Sequence, residues 1–302
     1  MAIVKSSYAV IAAFDVGSNS IKMTVARNAN GRIEEFGWDS ETVRLGAGLE
    51  TTGRLADDRL DAALATIVRF ADGARAAGAT HLVGVATEAV RAAANGPSFL
   101  NRVRRETGVE ISLISGDQEA ALTFRGLAAS IDVAGHLLVA DVGGGSTEMI
   151  AAEHGQIIAA RSIPLGSGRL TDLHVAHDPP TSVEIDACAK DAARLLAAVP
   201  LPSGPGLRLI VVGGTGEYMM RLMPEGRPTT PADISVTLVR LTSVPSARLA
   251  TMIQIPEARA RVLPAGLAIV QALAARTAPE RIEGARSGIR TGLLMAAFAG
   301  EM

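Results

Sequence analysis

The chain has one cysteine, few aromatic residues and three lysines among its 302 residues. The single thiol, Cys188, excludes an intrachain disulfide and any multi-cysteine metal site. It lies in the helical pattern "VEIDACAKDAARLLAAV", where an inert, partly buried thiol is expected. Aromatics make up 3% of the chain, too few for a surface on which single-stranded bases stack. The formal charge of −2 also argues against nucleic acid or an acidic membrane as partner, because both need concentrated Lys and Arg. With only Lys5, Lys22 and Lys190, the positive charge is nearly all arginine. Arginine forks onto phosphate oxygens, although codon bias is the simpler account of the excess as a whole. No apolar run approaches the roughly 18 residues of a membrane helix. "YAVIAAF", after Lys5, runs straight into Asp15 without a small-residue cleavage pattern. A cytoplasmic protein without membrane segments is the expectation.

Apolar residues, by contrast, make up 48% of the chain, and glycine is plentiful. That composition and length suit two globular domains. Two stretches match without a gap: "FDVGSNSIKM" at 14–23 and "ADVGGGSTEM" at 140–149. In each, an apolar run reads as a buried strand ending at Asp15 or Asp141. A glycine turn follows, then a second strand, a turn signal ("NANG" at 28–31, "EHG" at 153–155) and a third strand. The repeat is therefore a duplicated β-meander, one copy per half of the chain. Helix and strand alternate after each copy, and Pro-rich patches at 179–180 and 224–231 read as loops. The boundary is expected near residues 128–135, giving an N-terminal domain over 1–128 and a C-terminal one over 129–302. The last helix is free to pack back on the first domain.

The chemistry concentrates at the turns. Successive backbone N–H groups in such a turn form an anion cradle, and glycine lets a phosphate approach the backbone without meeting a Cβ. Ser20 and Ser146 add hydroxyl donors, while Asp15 and Asp141 stand where a divalent cation or a water could be held. Two such turns in one register point to phosphate binding. No Walker loop and no dinucleotide fingerprint is present. "LISGDQEAAL" puts Glu119 in the first turn of a helix, where the dipole favours its charged form, as a general base requires; many such residues only stabilise the helix. Arg91, in "VATEAVRAAAN", can fork onto phosphate or be merely solvated. "VVGGTGEYM" places Gly213, Gly214 and Thr215 between a strand and a helix, for a flat ring, another phosphate or a plain tight turn. His81, His136, His154, His174 and His177 show no ligand spacing, and the pair His174 and His177 reads as a surface loop.

Taken together, these residues closely resemble the Ppx/GppA family of exopolyphosphatases and guanosine pentaphosphatases, within the actin, sugar kinase and heat-shock ATPase superfamily. The motifs are "FDVGSNSIKM", "VRLGAGL", "VATEAVRAAAN", "ISGDQEAAL", "LLVADVGGGSTEM", "IPLGSGRLTD", "VVGGTGEYM" and "GIRTGLL". The resemblance implies an α/β protein of two ribonuclease-H-like domains facing a cleft, with the two turns closing on one phosphate chain. It implies that Glu119 activates the attacking water, and that Asp141 and Glu148 serve a divalent metal, Mg²⁺ or similar, and the water. Arg91 and the backbone of Gly143, Gly144, Gly145 and Ser146 would grip the terminal phosphoryl, and Gly17, Ser18 and Asn19 would supply the facing loop. The implied substrates are inorganic polyphosphate and guanosine pentaphosphate or tetraphosphate, and the implied assembly is a homodimer. Two other classes are an ATP-dependent kinase of the same superfamily and a non-catalytic guanosine tetraphosphate or polyphosphate sensor. Gln118 stands where many members have a second Glu, and Arg261 where an Asp is frequent. Longer members carry a further helical domain for which this chain has no room, so a preference for shorter polyphosphates is expected.

Overall fold

Both repeats fold as the turn between the first two strands of a five-stranded sheet. The structure, a computed structural model, describes residues 9–29, 32–223 and 227–301. The start of the "YAVIAAF" run, the end of the "NANG" turn and residues 224–226 of the Pro-rich patch lie outside them. The chain divides into two units: Met1–Ser115 with Ile289–Met302, and Gly116–Gly288.

The first unit opens with β1 (Val10–Val16), β2 (Ile21–Ala29) and β3 (Arg32–Glu41), an antiparallel meander. There follow α1 (Leu49–Thr52), α2 (Asp57–Ala76), β4 (His81–Ala86), α3 (Glu88–Ala92), α4 (Gly96–Thr107) and β5 (Glu110–Leu113). The strand order is β3-β2-β1-β4-β5, with β4 parallel to both its neighbours. Because β1 is central and covered on both faces, it reads as a continuous apolar run; Ala12, Ala13 and Phe14 are fully buried.

The second unit repeats the plan. It contains α5 (Gly116–Ala128), β6 (His136–Val142), β7 (Thr147–Glu153), β8 (Gln156–Ile163), α6 (Ser167–His174), α7 (Ser182–Ala197) and β9 (Leu207–Val212). Then come α8 (Gly213–Leu222), α9 (Pro231–Leu241), α10 (Ser246–Ile253), α11 (Glu257–Thr277) and β10 (Arg281–Gly284). Its order, β8-β7-β6-β9-β10, is that of the first sheet. The duplication reaches the irregularities. β2 slips register against β3 at Val25/Ala26, and β7 against β8 at Ala151/Ala152. Val25 follows Asp15 by as many residues as Ala151 follows Asp141, so one bulge has been copied with the sheet.

The units divide before α5, whereas the sequence boundary falls after it. The reason is packing: Ala120, Phe124 and Leu127 of α5 share a core with Leu137, Val139, Ile150, Ala152, Ile210 and Val212. The last helix, α12 (Ile289–Ala299), packs on β1 and β2 of the first unit. Arg290 anchors it by donating to the Met23 carbonyl and, at 2.9 Å, to Thr24 Oγ1. By length and composition α11 is long and apolar enough to cross a membrane, although Arg259, Arg261 and Gln271 interrupt its apolar run. Its most apolar window is 78% buried in the protein, and Leu267, Ile269, Val270 and Leu273 fill the core of the second unit.

Cys188 is fully buried on α7 against the Leu170 carbonyl, and burial pushes its thiol up to about 11. The inert reading of this residue thus has a physical basis, since the thiolate is the reactive form. One glycine has no visible structural purpose: Gly73 lies inside α2 with open space where a Cβ would stand. Gly73→Ala is expected to raise stability by about 0.5–1 kcal/mol, read as an increased midpoint in urea unfolding.

Candidate functional site

Two acidic residues of the second repeat and a serine lie in one row across three strands. Asp141 on β6 pairs in register with Glu148 on β7, and Glu148 with Ser162 on β8. Directly opposed residues of antiparallel strands share a face, with Cβ atoms about 4.5–5.5 Å apart. The alternation on β6 shows which face: Leu137 and Val139 pack against α5, and Asp141 continues their series. The apolar seam under α5 therefore turns acidic where the strand ends. α5 answers it with Glu119 and Thr123, one turn apart on a single helix face. Both are buried, as is Glu148. Thr123 Oγ1 donates to Asp141 Oδ2 at 3.3 Å, and Ser162 Oγ donates to Glu148 Oε1 at 2.7 Å.

This donor set suits a hard cation that takes one or two carboxylates and completes its shell with phosphate and water oxygens, as Mg²⁺ does. Among the described residues no group of three His, Cys, Asp or Glu side chains forms a metal-holding cluster.

Beside the row runs the glycine turn. Gly143 N donates to Ser146 O at 3.0 Å, matching Gly17 N to Ser20 O at 3.1 Å in the first unit. The start of α6 then ties the loop back: Ser167 N donates to the Gly143 carbonyl and Arg169 N to the Gly144 carbonyl, both at 2.9 Å. A trans peptide is planar, with its C=O and N–H pointing opposite ways. Drawing those two carbonyls toward α6 therefore turns the N–H groups of Gly144 and Gly145 outward, away from the helix. The first unit uses the same device with another element. Gly46 N donates to the Ser18 carbonyl and Arg44 N to the Asn19 carbonyl, both at 2.8 Å, turning out the N–H groups of Asn19 and Ser20. The "VRLGAGL" and "IPLGSGRLTD" motifs thus brace the two cradles, a role their sequences did not reveal.

Side chains behave differently from the sequence expectation. Asn19, Ser20 and Ser146 are buried, and Ser20 Oγ lies 3.4 Å from Thr42 Oγ1. These groups secure the loops from behind, and it is the backbone that faces outward. Asp15 pairs in register with Lys22, and Arg290 is also close; burial pushes its carboxyl up and the two cations partly offset this. Cationic neighbours suit that carboxyl better than a metal ion. Arg91 donates to the Ile114 carbonyl at 2.8 Å and to Glu88 Oε2 at 2.5 Å, which fixes its guanidinium at the end of β5.

The third glycine turn joins the acidic row directly. Gly213, with φ of 73°, runs so close to Asp141 that an added Cβ would stand 2.2 Å from Oδ1. Thr215 is buried and donates to the Val142 carbonyl at 3.3 Å. Gly214 makes room for the guanidinium of Arg259, whose nearest nitrogen would be 2.3 Å from a Cβ there. Arg259 is itself buried and stacks 5.5 Å from the Tyr218 ring centre; burial lowers its pKa. Sequence reasoning missed Arg259, Thr123 and Ser162, none of which stands in a distinctive local pattern. Arg261, the departure noted beside it, donates to the carbonyls of His177 (2.7 Å) and Val175 (3.3 Å) and lies 3.7 Å from Asp178. It clamps the segment after α6. Gln118 shares the first turn of α5 with Glu119. Of the pair His174 and His177, the first ends α6 beside Asp191, and the second, paired with Glu184, is an exposed loop residue.

Two units of one topology, each with a glycine turn after its first strand, define a protein of the actin-like, ribonuclease-H-like class. Within that class a model of the Ppx/GppA phosphatase family matches residues 24–299, and the chain belongs to this family. It is similar to the crystal structure of a Ppx/GppA family member from Aquifex aeolicus, at 25% identity and a TM-score of 0.75, over 97% of this chain and 98% of that one. Exopolyphosphatase 1 of Mycobacterium tuberculosis H37Rv is 36% identical over 168 residues, 55% of this chain and 49% of the relative. Guanosine-5'-triphosphate,3'-diphosphate pyrophosphatase of Vibrio atlanticus is 31% identical over 188 residues, 62% of this chain and 38% of the relative. The chain spans about half the length, or less, of these curated relatives.

Proposed function

We propose that this protein hydrolyses the terminal phosphoanhydride bond of inorganic polyphosphate, with guanosine pentaphosphate as an overlapping substrate, and releases orthophosphate. The observation that carries the reading is the Asp141–Glu148 pair, with Glu148 buried, lying under the α5 face that carries Glu119 and beside outward-turned N–H groups of Gly144 and Gly145. Phosphoryl transfer asks little covalent chemistry of a protein; it needs positioned oxygens, a placed water and compensation of charge. In this reading Glu119 takes a proton from the attacking water, and the Gly144 and Gly145 N–H groups receive oxygens of the terminal phosphoryl. Asp141 and Glu148 would hold Mg²⁺, which when bound neutralises charge on the phosphate oxygens. Arg91 and the Gly17–Ser20 backbone are further phosphate grips carried by the first unit. A cytoplasmic homodimer is part of the proposal, on family resemblance.

The test is orthophosphate release from defined polyphosphates and from guanosine pentaphosphate, with Mg²⁺ or with excess chelator. Release that stops on chelation is the expected result. Binding of these anions without any release would favour a sensor, and phosphate transfer from ATP to an acceptor a kinase.

A further inference from the structure

Ser162 stands where the two acidic elements of the site meet. It is the third residue of the Asp141–Glu148–Ser162 row and lies on β8, an edge strand whose other residues are largely exposed. Its hydroxyl donates to Glu148 Oε1 at 2.7 Å. Its Cβ lies just 2.4 Å from where a Cβ on Gly116 would stand, and its Oγ 3.1 Å from that point. Gly116 opens α5, and Glu119 follows three residues later. One small side chain therefore touches Glu148 with its polar end and the seat of the Glu119 helix with its carbon.

Both contacts constrain the residue type. Alanine would keep the seat and lose the donor, leaving the Glu148 carboxylate to choose another rotamer. A larger residue would lift the first turn of α5 from the sheet, because Gly116 has already given up its own Cβ. We propose that Ser162 is a positioning residue for both carboxylates: its hydroxyl orients Glu148, and its Cβ sets the height at which α5 carries Glu119 over the sheet. The catalytic half of this inference rests on the function proposed above; the packing half does not.

Two sets of variants test it. Ser162→Ala is expected to lower kcat by about 10–100-fold, the usual cost of removing a group that orients a metal-linked ligand, with the substrate KM within about two-fold. In a Glu148→Gln background the same change should cost less than about two-fold, since the interaction it removes is already altered. Independently of activity, Gly116→Ala should speed amide hydrogen exchange over residues 116–123 by about tenfold or more, and adding Ser162→Gly should restore it by removing the opposing Cβ. A Ser162→Ala enzyme with unchanged kcat, or a loss undiminished in the Glu148→Gln background, overturns the orienting role. Exchange in Gly116→Ala that does not respond to Ser162→Gly overturns the seating role. A wild-type protein that releases no phosphate sinks the proposed function, and the exchange measurement still decides the packing half.

Discussion

Glu119→Gln lowers kcat by about 10²–10⁴-fold and leaves the substrate KM within about two-fold; this is the expected result if Glu119 takes the water's proton. The argument comes from where the residue sits. Glu119 is buried in the first turn of α5, where the helix dipole favours the carboxylate. Gln fills the same volume and keeps a hydrogen-bonding end, so neither the helix nor the apolar seam of Ala120, Phe124 and Leu127 behind it is disturbed. What Gln cannot do is accept a proton at neutral pH. A steady-state comparison on polyphosphate, with thermal midpoints measured in parallel, separates chemistry from folding. Turnover equal to wild type removes Glu119 from the mechanism.

Gly166→Ala is expected to cost about a hundredfold in activity, although Gly166 itself is given no contact with substrate. A Cβ at this position would lie 2.3 Å from the Gly144 oxygen, 2.4 Å from its carbonyl carbon and 2.5 Å from the Gly145 carbonyl carbon. All three are backbone atoms, so no rotamer change relieves the overlap. Either α6 retreats or the glycine loop shifts, and a displacement of about 1 Å in a positioning element costs on the order of 10²-fold. Overpacking of this kind also lowers stability by about 1–3 kcal/mol. Gly73→Ala, the same chemical change in open space, provides the comparison. If Gly166→Ala leaves kcat and the unfolding midpoint where Gly73→Ala leaves them, the bracing of the loop by α6 has no catalytic value.

The duplicated meander was legible in the sequence because everything that defines it is local. An apolar run, a glycine turn and an alternating strand fall within a few residues of one another, and the third strand expected after the "EHG" turn is β8. The first acidic candidates, Glu119, Asp141 and Glu148, were legible for the same reason: each lies beside a motif. Their partners were not. Ser162 reaches Glu148 across a strand pair, Thr123 reaches Asp141 from a helix, and Arg259 reaches Gly214 from α11. No local pattern distinguishes these from any other serine, threonine or arginine. The domain boundary was misplaced because the apolar face of α5 does not reveal which sheet it covers; that sheet is built from strands further along the chain. Helices α9 and α10 passed unread beside the Pro-rich stretch. Asp15 looked like the equal of Asp141 in the alignment, yet Lys22 and Arg290 give it a cationic setting that the copy lacks in register, where Glu148 faces Asp141.

The tie-back of the glycine loops has a consequence for how the two halves of the duplication were free to change. What must be kept in each loop is the direction of two peptide planes, and a plane can be turned from its far side by any pair of donors two residues apart. An irregular segment supplies them at Arg44 and Gly46, and the opening of a helix at Ser167 and Arg169. The inner surface of the cradle is thereby insulated from the identity of the scaffold behind it. Kinship between the copies can fade everywhere outside the strands and turns while each loop still turns out two successive amides, Asn19 and Ser20 in one copy and, one aligned position earlier, Gly144 and Gly145 in the other. That is why ten residues still betray a duplication spanning two whole sheets.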